Sequence, residues 1–244
     1  MKQLLVGLCL FLTLPIVAQD KRDFVFNASR SESIVIDVSF PNIVLKTWDK
    51  NEVKIQASIN INDGRNNDRF KLTSEQDGAQ LLITSEITGI DDWNNHTIYG
   101  NRSEDSKDKI RISKNGKTIT IGDNDDYSIS EEGNEIDVEL EIYVPVHKPL
   151  TIKAKFGMVE VLEVPDDLEV YAKFGGADLS IDESALGFLK ASSSWGQIFS
   201  NLSEKMEFEG NDMLGKQMIA KLEKGKGKKL SVKSDFGNVY LRKN

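Results

Sequence analysis

The stretch VYAKFGGADLSI (170–181) decides the fold of this chain. In it, an alternating apolar segment ends in an aromatic residue, a glycine follows, and a second alternating segment begins. We call this pattern a cassette. Its other copies are IKAKFGMVEV (152–161), LKASSSWGQIFSNL (189–202), the degraded FEGNDMLGKQMI (208–219) and LSVKSDFGNVYL (230–241). Their glycines recur about every 20 residues, a period typical of solenoids and other arrays of supersecondary units. The repeat predicts a coiled β structure.

The apolar residues change parity at the glycine of each cassette. Ile152, Ala154 and Phe156 share one face of a strand, whereas Val159 and Val161 have the opposite parity. The change of parity occurs over the three residues from Phe156 to Val159. It predicts a corner or bulge that returns the next apolar residue to the core, with glycine accepting a positive φ there. A meander of hairpins with glycine turns is the alternative. The parity predicts an inward-facing ladder of Phe156, Phe174, Trp195 and Phe236.

The N-terminal half contains a fainter copy of the repeat and more hairpin-like segments. In IVIDVSFPNIVLKTW (34–48), Pro41-Asn42 stands where the later cassettes have Gly-x. The strongest single strand is EIDVELEIYVPV (135–146), whose apolar residues all share one parity. Hairpins are predicted at Asp77-Gly78 and Asn115-Gly116. Both hairpins fall in a long polar stretch, 62–134, which we interpret as a hairpin and loop insertion.

The first residues have the pattern of an export signal. Lys2 precedes the apolar run 4–18, and a polar segment begins at residue 19. The run is shorter than the roughly 20 residues that a spanning helix needs, which disfavours the alternative of a membrane anchor. We therefore expect residues 1–18 to be a signal peptide and the protein to be exported, to the periplasm or the cell surface. Cys9, the only cysteine, lies in that run, so cleavage would leave no thiol and no disulfide.

Length and composition are those of a globular protein. The chain has 244 residues, of which 39% are hydrophobic and 29% charged, and its formal net charge is −8. This acidic balance argues against a nucleic-acid partner, because such binders usually carry a basic face. After a lead-in at 19–30, we expect one β-solenoid domain over 31–244, most regular over 150–244.

Residues that could support catalysis or bind a metal are few. Only two histidines exist, His96 and His147, and we interpret both as solvated loop residues. The acidic runs Asp91-Asp92 and DNDD (123–126) lack the spacing of an EF-hand loop and are interpreted as solvated turns. Adjacent acids such as Asp182-Glu183 point to opposite faces of a strand, which is weak support for an acid/base pair. The sequence predicts no enzyme activity, no catalytic residue, no cofactor and no metal site.

Two surface features could bind a partner. Trp93 and Tyr99 lie in a long polar loop, where binding residues of rigid scaffolds concentrate, and they are the candidate binding residues for a sugar or a protein. Stacked cassettes would also align outward residues into a partly basic face, beside a more acidic one with Glu160, Asp178 and Ser180. We interpret both faces as solvated surfaces that oppose aggregation. The basic face would contain Lys153, Lys155, Tyr171, Lys173, Lys190, Ser192, Lys233 and Asp235.

Three parts of the sequence carry a family resemblance: FPNIVLKTWDKNEVKIQA (40–57), YVPVHKPLTIKAKFGMVEV (143–161) and the serial Phe-Gly or Trp-Gly cassettes up to the C-terminus. They resemble a known family of bacterial exported proteins, the adhesin-like β-strand-repeat family, a domain of unknown function. The resemblance implies a single-stranded right-handed parallel β-helix. An antiparallel β-sandwich or meander stays open as the alternative fold.

The expected function is that of a non-enzymatic adhesin-like interaction or scaffold protein of the bacterial cell envelope. Its partner would be an envelope protein or a glycan, and it would not be an integral membrane protein once its signal is cleaved. Two other functions stay open. One is a carbohydrate-binding or carbohydrate-cleaving β-helix, and the other is an accessory protein in envelope-stress signalling.

Overall fold

The structure is a computed structural model that describes residues 20–89, 110–114, 117–121, 128–131, 136–209 and 218–244. Over these residues the protein is all-β, with a single 3-10 turn at Asn67–Arg69. In the described part of the chain, no helix has the length and apolar character required to cross a membrane. The predicted signal peptide, residues 1–18, lies outside the described residues.

Two large mixed sheets form the body of the protein. In spatial order, sheet 1 contains β1 (Asp20–Asn27), β4 (Glu52–Ile61), β10 (Ile136–Pro145), β3 (Asn42–Trp48), β12 (Val159–Val161), β14 (Ala177–Ile181), β20 (Val239–Lys243) and β16 (Ile198–Ser200). Sheet 2 contains β17 (Glu207–Glu209), β18 (Met218–Glu223), β15 (Leu186–Ser193), β19 (Lys228–Ser234), β13 (Asp167–Ala172), β11 (Leu150–Ala154), β2 (Ser33–Val38), β6 (Gln80–Ile87) and β5 (Phe70–Asp77).

Five chain segments pass from sheet 2 to sheet 1 through connections of four residues, or three between β2 and β3. We call each strand pair a coil and each connection a corner; the coils are β2/β3, β11/β12, β13/β14, β15/β16 and β19/β20. Strands of neighbouring coils pair in parallel, so the cassettes are not hairpins. Antiparallel pairs occur towards the ends of both sheets. This two-layer arrangement is also compatible with a β-sandwich.

The coils do not stack in chain order. The last coil, β19/β20, pairs on one side with β13/β14 and on the other with β15/β16. The fifth cassette therefore lies between the second and the third. Because all the cassettes have the same alternation, the sequence pattern alone does not distinguish this order from the sequential one.

The core lies between the two sheets and consists of the inward-facing residues of their strands. In the β11/β12 coil, Ile152, Ala154, Val159 and Val161 are buried in one cluster with the inward residues of both sheets. Full burial of an aliphatic side chain contributes about 1.5 to 3 kcal/mol, so the alternation predicted from the sequence supplies most of the stabilisation of the fold. The strand predicted from 135–146 is confirmed as β10, which has four buried residues on one face.

The polar stretch 62–134 contributes strands to two different sheets. The hairpin at Asp77-Gly78 is confirmed, since β5 and β6 are antiparallel with Asp77 opposite Gln80. Its strand β6 pairs in parallel with β2 and buries Leu81 and Ile83, which makes it part of sheet 2. Farther along, β7 (Ile110–Lys114), β8 (Lys117–Ile121) and β9 (Ser128–Glu131) form a separate antiparallel sheet.

The predicted inward aromatic ladder is wrong. The side chains of Phe156, Phe174, Trp195 and Phe236 are 44%, 45%, 69% and 51% exposed. The reason is that β11 ends at Ala154, so strand alternation no longer determines the direction of the residues that follow. The next buried strand residue is Val159, five positions later, and the same interval separates Ala172 from Ala177. The aromatic residue belongs to the corner and faces outward.

The corner glycines are required for a different reason from the one predicted. None of the corner glycines has a positive φ; in the described residues the glycines with positive φ are Gly64, Gly78, Gly89, Gly225 and Gly227. Instead, neighbouring corners approach closely. A Cβ at Gly175 would lie 2.1 Å from the carbonyl oxygen of Gly157, and a Cβ at Gly157 would lie 1.7 Å from that of Pro41. Glycine therefore allows backbone to pack on backbone.

Candidate binding surface

The corners carry a continuous stack of aromatic rings on the outside of the protein. Each ring occupies the second corner position, and its neighbours come from the adjacent coils. The order is Phe40, Phe156, Phe174, Phe236 and Trp195, with ring-centre distances of 5.1, 5.1, 5.1 and 6.4 Å. We call this set the ring stack. The interplanar angles are between 5° and 21°, so the ring faces cover one another.

Backbone hydrogen bonds between corners fix the spacing of the rings. The amide of Phe156 donates to the carbonyl of Ser39 (2.9 Å), and the amide of Phe174 donates to that of Lys155 (2.8 Å). The strand ladder therefore continues through the corner, and the rings adopt approximately the spacing of adjacent strands. The same contact is made by Phe236 with Lys173 (3.0 Å) and by Trp195 with Asp235 (2.9 Å).

Two buried serines stabilise the corners at one end of the stack. Ser234 Oγ accepts from the amide of Gly237 (2.8 Å) and donates to the carbonyl of Gly175 (3.1 Å). Ser193 Oγ makes the equivalent pair of bonds, accepting from the amide of Gly196 (2.9 Å) and donating to the carbonyl of Gly237 (3.0 Å). Each serine thus links its own corner to the corner of the next coil, which makes this part of the surface rigid.

Lysine side chains lie along the ring stack. The Nζ atoms of Lys155 and Lys173 lie 5.2 Å and 5.3 Å from the ring centres of Phe156 and Phe174. Each ammonium group lies over the ring of the residue that follows it, a cation–π contact, and adds positive charge to the surface of the stack. The ring stack and its lysines therefore form a surface suited to negatively charged groups.

A groove of about 390 Å³ lies on the outward face of sheet 2, next to the ring stack. The strand register places Asp37, Lys153, Tyr171 and Lys233 opposite one another on four adjacent strands. This row confirms part of the predicted basic face. We call this site the lysine groove; its lining residues are Asp37, Lys153, Ala154, Lys155, Tyr171, Ala172, Lys173, Lys233 and Asp235.

The lysine groove is positively charged on a protein whose formal net charge is −8. Its lining contains four lysines and two aspartates. Within the described residues, Lys153, Lys155 and Lys173 form no ion pair with a carboxylate, whereas Lys233 lies 3.4 Å from Asp235. Three ammonium groups are therefore free to bind an anionic ligand.

Tyr171 stands between two of the lysines and presents an exposed ring. Its side chain is 42% exposed, and its hydroxyl donates to Glu169 Oε2 at 3.3 Å. Partial burial, followed by the negative charge of Glu169, raises the pKa of the Tyr171 phenol. The hydroxyl therefore stays protonated at neutral pH, and the ring gives the groove an apolar contact between Lys153 and Lys233.

Three acidic residues in or just after the second cassette, Asp178, Asp182 and Glu183, have structural partners. Asp178 accepts from Arg242 Nε at 2.7 Å. Glu183 pairs with Lys243 Nζ at 2.9 Å, and this hydrogen bond, followed by those from the backbone amides of Glu204 and Ser203, lowers the pKa of the Glu183 carboxyl to about 2. Asp182 accepts from the hydroxyl and amide of Ser184.

In the described part of the chain, the one histidine pairs with an exposed carboxylate. His147 lies 2.8 Å from Asp166, and both side chains are exposed. The described part of the chain contains no group of three or more His, Cys, Asp or Glu residues that could hold a metal ion.

The residues predicted from the sequence have three outcomes. Trp93 and Tyr99, the candidate binding residues, lie outside the described residues, as do His96 and both acidic runs. The basic face exists, except that Ser192 is buried. The recurrence of lysines at the same cassette positions is a sequence signal for the lysine groove, although the pattern alone favours a solvated surface there. The stacking order, which places Lys233 beside Tyr171, was not available from the pattern.

Comparison with known proteins yields only distant likenesses. No protein-family model and no curated protein matches the chain. A crystal structure of a "putative cell adhesion protein" from Clostridium sporogenes has a TM-score of 0.49 and 11% identity, over 93% of this chain and 100% of that one. A "putative adhesin" from Bacteroides fragilis has a TM-score of 0.21 and 6% identity, over 93% and 99% of the two chains. At such values the function of neither protein transfers to this chain.

Proposed function

We propose that this chain is an exported, non-enzymatic, adhesin-like interaction protein of the bacterial cell envelope, and that it binds its partner through the lysine groove. The supporting observation is the groove itself, in which three lysines without a carboxylate partner lie on an acidic protein. Ammonium groups placed beside an exposed tyrosine suit binding, because they provide charge complementarity without a reactive centre. Export rests on the basic and apolar pattern of residues 1–18.

The proposed scaffold is a right-handed parallel β-helix built from the five coils. Parallel pairing of the coils and their corners of three or four residues support this interpretation. A β-helix of this kind holds its outward side chains at fixed spacing, because each coil is hydrogen-bonded to the next through both strands and corner. Such a scaffold would present the lysine groove with little loss of conformational entropy on binding.

The arrangement of acids in the lysine groove supports the non-enzymatic part of the proposal. Asp37 belongs to the coil of β2, and Asp235 to the corner after β19, three strand positions away in sheet 2. Three strand spacings correspond to about 14 Å. A pair of carboxylates that cleaves a glycosidic bond is about 5 to 9.5 Å apart. We therefore expect no turnover of polysaccharide substrates by this pair.

A binding experiment with separated envelope fractions tests the proposal. The purified protein would be incubated with the glycan, lipid and protein fractions of bacterial envelopes, and the bound fraction would be measured. We expect one fraction to bind, and the double variant Lys153→Glu/Lys173→Glu to lose that binding because it reverses two charges in the groove.

The matched control is Lys205→Glu/Lys226→Glu. It makes the same change in net charge at exposed lysines outside the groove lining and should bind as the unmodified protein does. Equal loss in the two double variants would contradict the proposal, because binding would then depend on overall charge rather than on the groove. Absence of binding to every fraction would also contradict it.

A further inference from the structure

We propose that the ligand of the lysine groove is an acidic polysaccharide, a chain of sugars with spaced carboxylates, lying across the strands of sheet 2 in the direction of coil stacking. This inference rests on the proposed function, because it names the ligand class for the same groove. It follows from three features: the periodicity of the lysines, the position of the two aspartates and the exposed ring of Tyr171.

The cations of the groove recur from coil to coil. Lys153 lies on β11, Lys173 follows β13, and Lys233 lies on β19, the next strand in sheet 2. Tyr171 holds the position opposite Lys153 and Lys233, and Lys173 lies two residues farther along, so the ammonium groups occupy two neighbouring rows. Adjacent strands are about 4.8 Å apart, and a ligand that crosses the strands within reach of both rows meets an ammonium group at each step. A polymer with recurring charge uses this array fully, whereas a small anion would contact only part of it.

The two aspartates restrict the kind of polymer. Asp37 lies on β2 at one end of the groove, and Asp235 lies beyond β19 at the other. Carboxylates repel a densely charged polyanion such as duplex DNA, in which each strand carries a phosphate about every 3.4 Å along the helix axis. They accept hydrogen bonds from hydroxyl groups. A chain that combines hydroxyls with more widely spaced carboxylates therefore matches the groove better than a nucleic acid does.

Tyr171 provides the apolar contact that a sugar ring requires. It lies opposite Lys153 on one side and Lys233 on the other. A sugar ring can pack its C–H groups on the exposed tyrosine ring while its carboxylates reach the flanking ammonium groups. Lys155 and Lys173, whose ammonium groups lie over the rings of Phe156 and Phe174, supply positive charge on the side of the groove next to the ring stack. A neutral glycan would leave the lysines without counter-charge.

Titration with a defined polymer tests the ligand class. The probe is polygalacturonate, and its fully methyl-esterified form is the matched control, since it retains the sugar backbone but lacks the charge. A single-stranded thymidine oligonucleotide of similar length serves as a polyanion without carboxylates. We expect binding of polygalacturonate in isothermal titration, weaker binding at higher salt because exposed charges are screened, and little binding of the other two polymers.

Variants locate the binding in the groove. Lys153→Glu/Lys173→Glu should raise the Kd for polygalacturonate by about tenfold or more, because two attractions become repulsions. Lys205→Glu/Lys226→Glu should leave the Kd unchanged. Tyr171→Ala should weaken binding severalfold, and Tyr171→Phe should not, because the ring and not the hydroxyl contacts the sugar. Circular dichroism of each variant verifies that it is folded.

The outcomes separate this inference from the proposed function. Equal binding of the oligonucleotide, or of the methyl-esterified polymer, overturns the assignment of an acidic polysaccharide. Failure of polygalacturonate to bind also overturns it, and the proposed function survives that result if an envelope fraction still binds in a groove-dependent manner. If the groove variants bind polygalacturonate and the envelope fraction as tightly as the unmodified protein does, both proposals are wrong.

Discussion

The strands and the corners of this protein follow different rules. Along β13, the alternation of the sequence matches burial residue by residue, with Leu168, Val170 and Ala172 inward and Glu169 and Tyr171 outward. In the corner that follows, the aromatic residue with inward parity is exposed. Strand alternation is a property of extended backbone within one coil, whereas the corner is determined by contact with the neighbouring coils. Parity therefore determines direction only up to the last strand residue.

The difference also separates two sources of stability. The strands bury aliphatic side chains between the sheets, and that burial contributes most of the favourable free energy. The corners bury little but bring glycine backbone, serine hydroxyls and aromatic rings of successive coils into register. We expect substitutions in the strands to have the largest effects, substitutions of corner glycines intermediate effects, and substitutions of the rings the smallest.

Truncating a strand residue should have the largest effect. Leu168 is fully buried, and Leu168→Ala should lower the free energy of unfolding by about 2 to 5 kcal/mol, through lost burial and the cavity left behind. The adjacent Glu169 faces outward, so Glu169→Ala should change stability by less than about 0.5 kcal/mol. Denaturant melts of the two variants measure the difference. Equal losses would show that alternation does not specify the core.

Many of the strands could be predicted from the sequence, because strand alternation and turn dipeptides are local features of the chain. Alternation located β10, and the Asp-Gly dipeptide located the turn between β5 and β6, because both depend on neighbours along the chain. The direction of the Phe174 side chain and the role of Gly175 depend on contacts between coils that are distant in the sequence. The local alternation of apolar residues contains no information about these contacts. The lysine groove could be predicted in part. The recurrence of its lysines follows from the sequence repeat, but their grouping around Tyr171 depends on the stacking order of the coils.

Adding a single methyl group to a corner glycine tests the close approach of the coils. Gly175→Ala should lower the free energy of unfolding by about 1 to 3 kcal/mol, because the new Cβ would overlap backbone atoms of Gly157 that cannot rotate away. The control is Gly78→Asn in the β5–β6 turn, where φ is 57° and a Cβ would have no atom within 4 Å apart from those of its chain neighbours. Asparagine tolerates that conformation, so we expect a smaller loss there. Thermal melts that rank Gly78→Asn as the more damaging change would refute the close-packing explanation.

Removing a ring from the middle of the ring stack should have the smallest effect of the three. Phe174 contacts Phe156 and Phe236 at 5.1 Å on either side, but almost half of its side chain is exposed. An aromatic pair contributes about 0.5 to 1.5 kcal/mol beyond its buried area, so Phe174→Ala should cost about 1 to 2 kcal/mol. Phe174→Leu, which keeps an apolar side chain but not the ring, separates stacking from burial, and it should recover only part of the loss. The measurement is chemical denaturation of both variants beside Leu168→Ala. If Phe174→Ala were as damaging as the core truncation, the ring would behave as a buried residue, and the distinction between strand and corner would not hold.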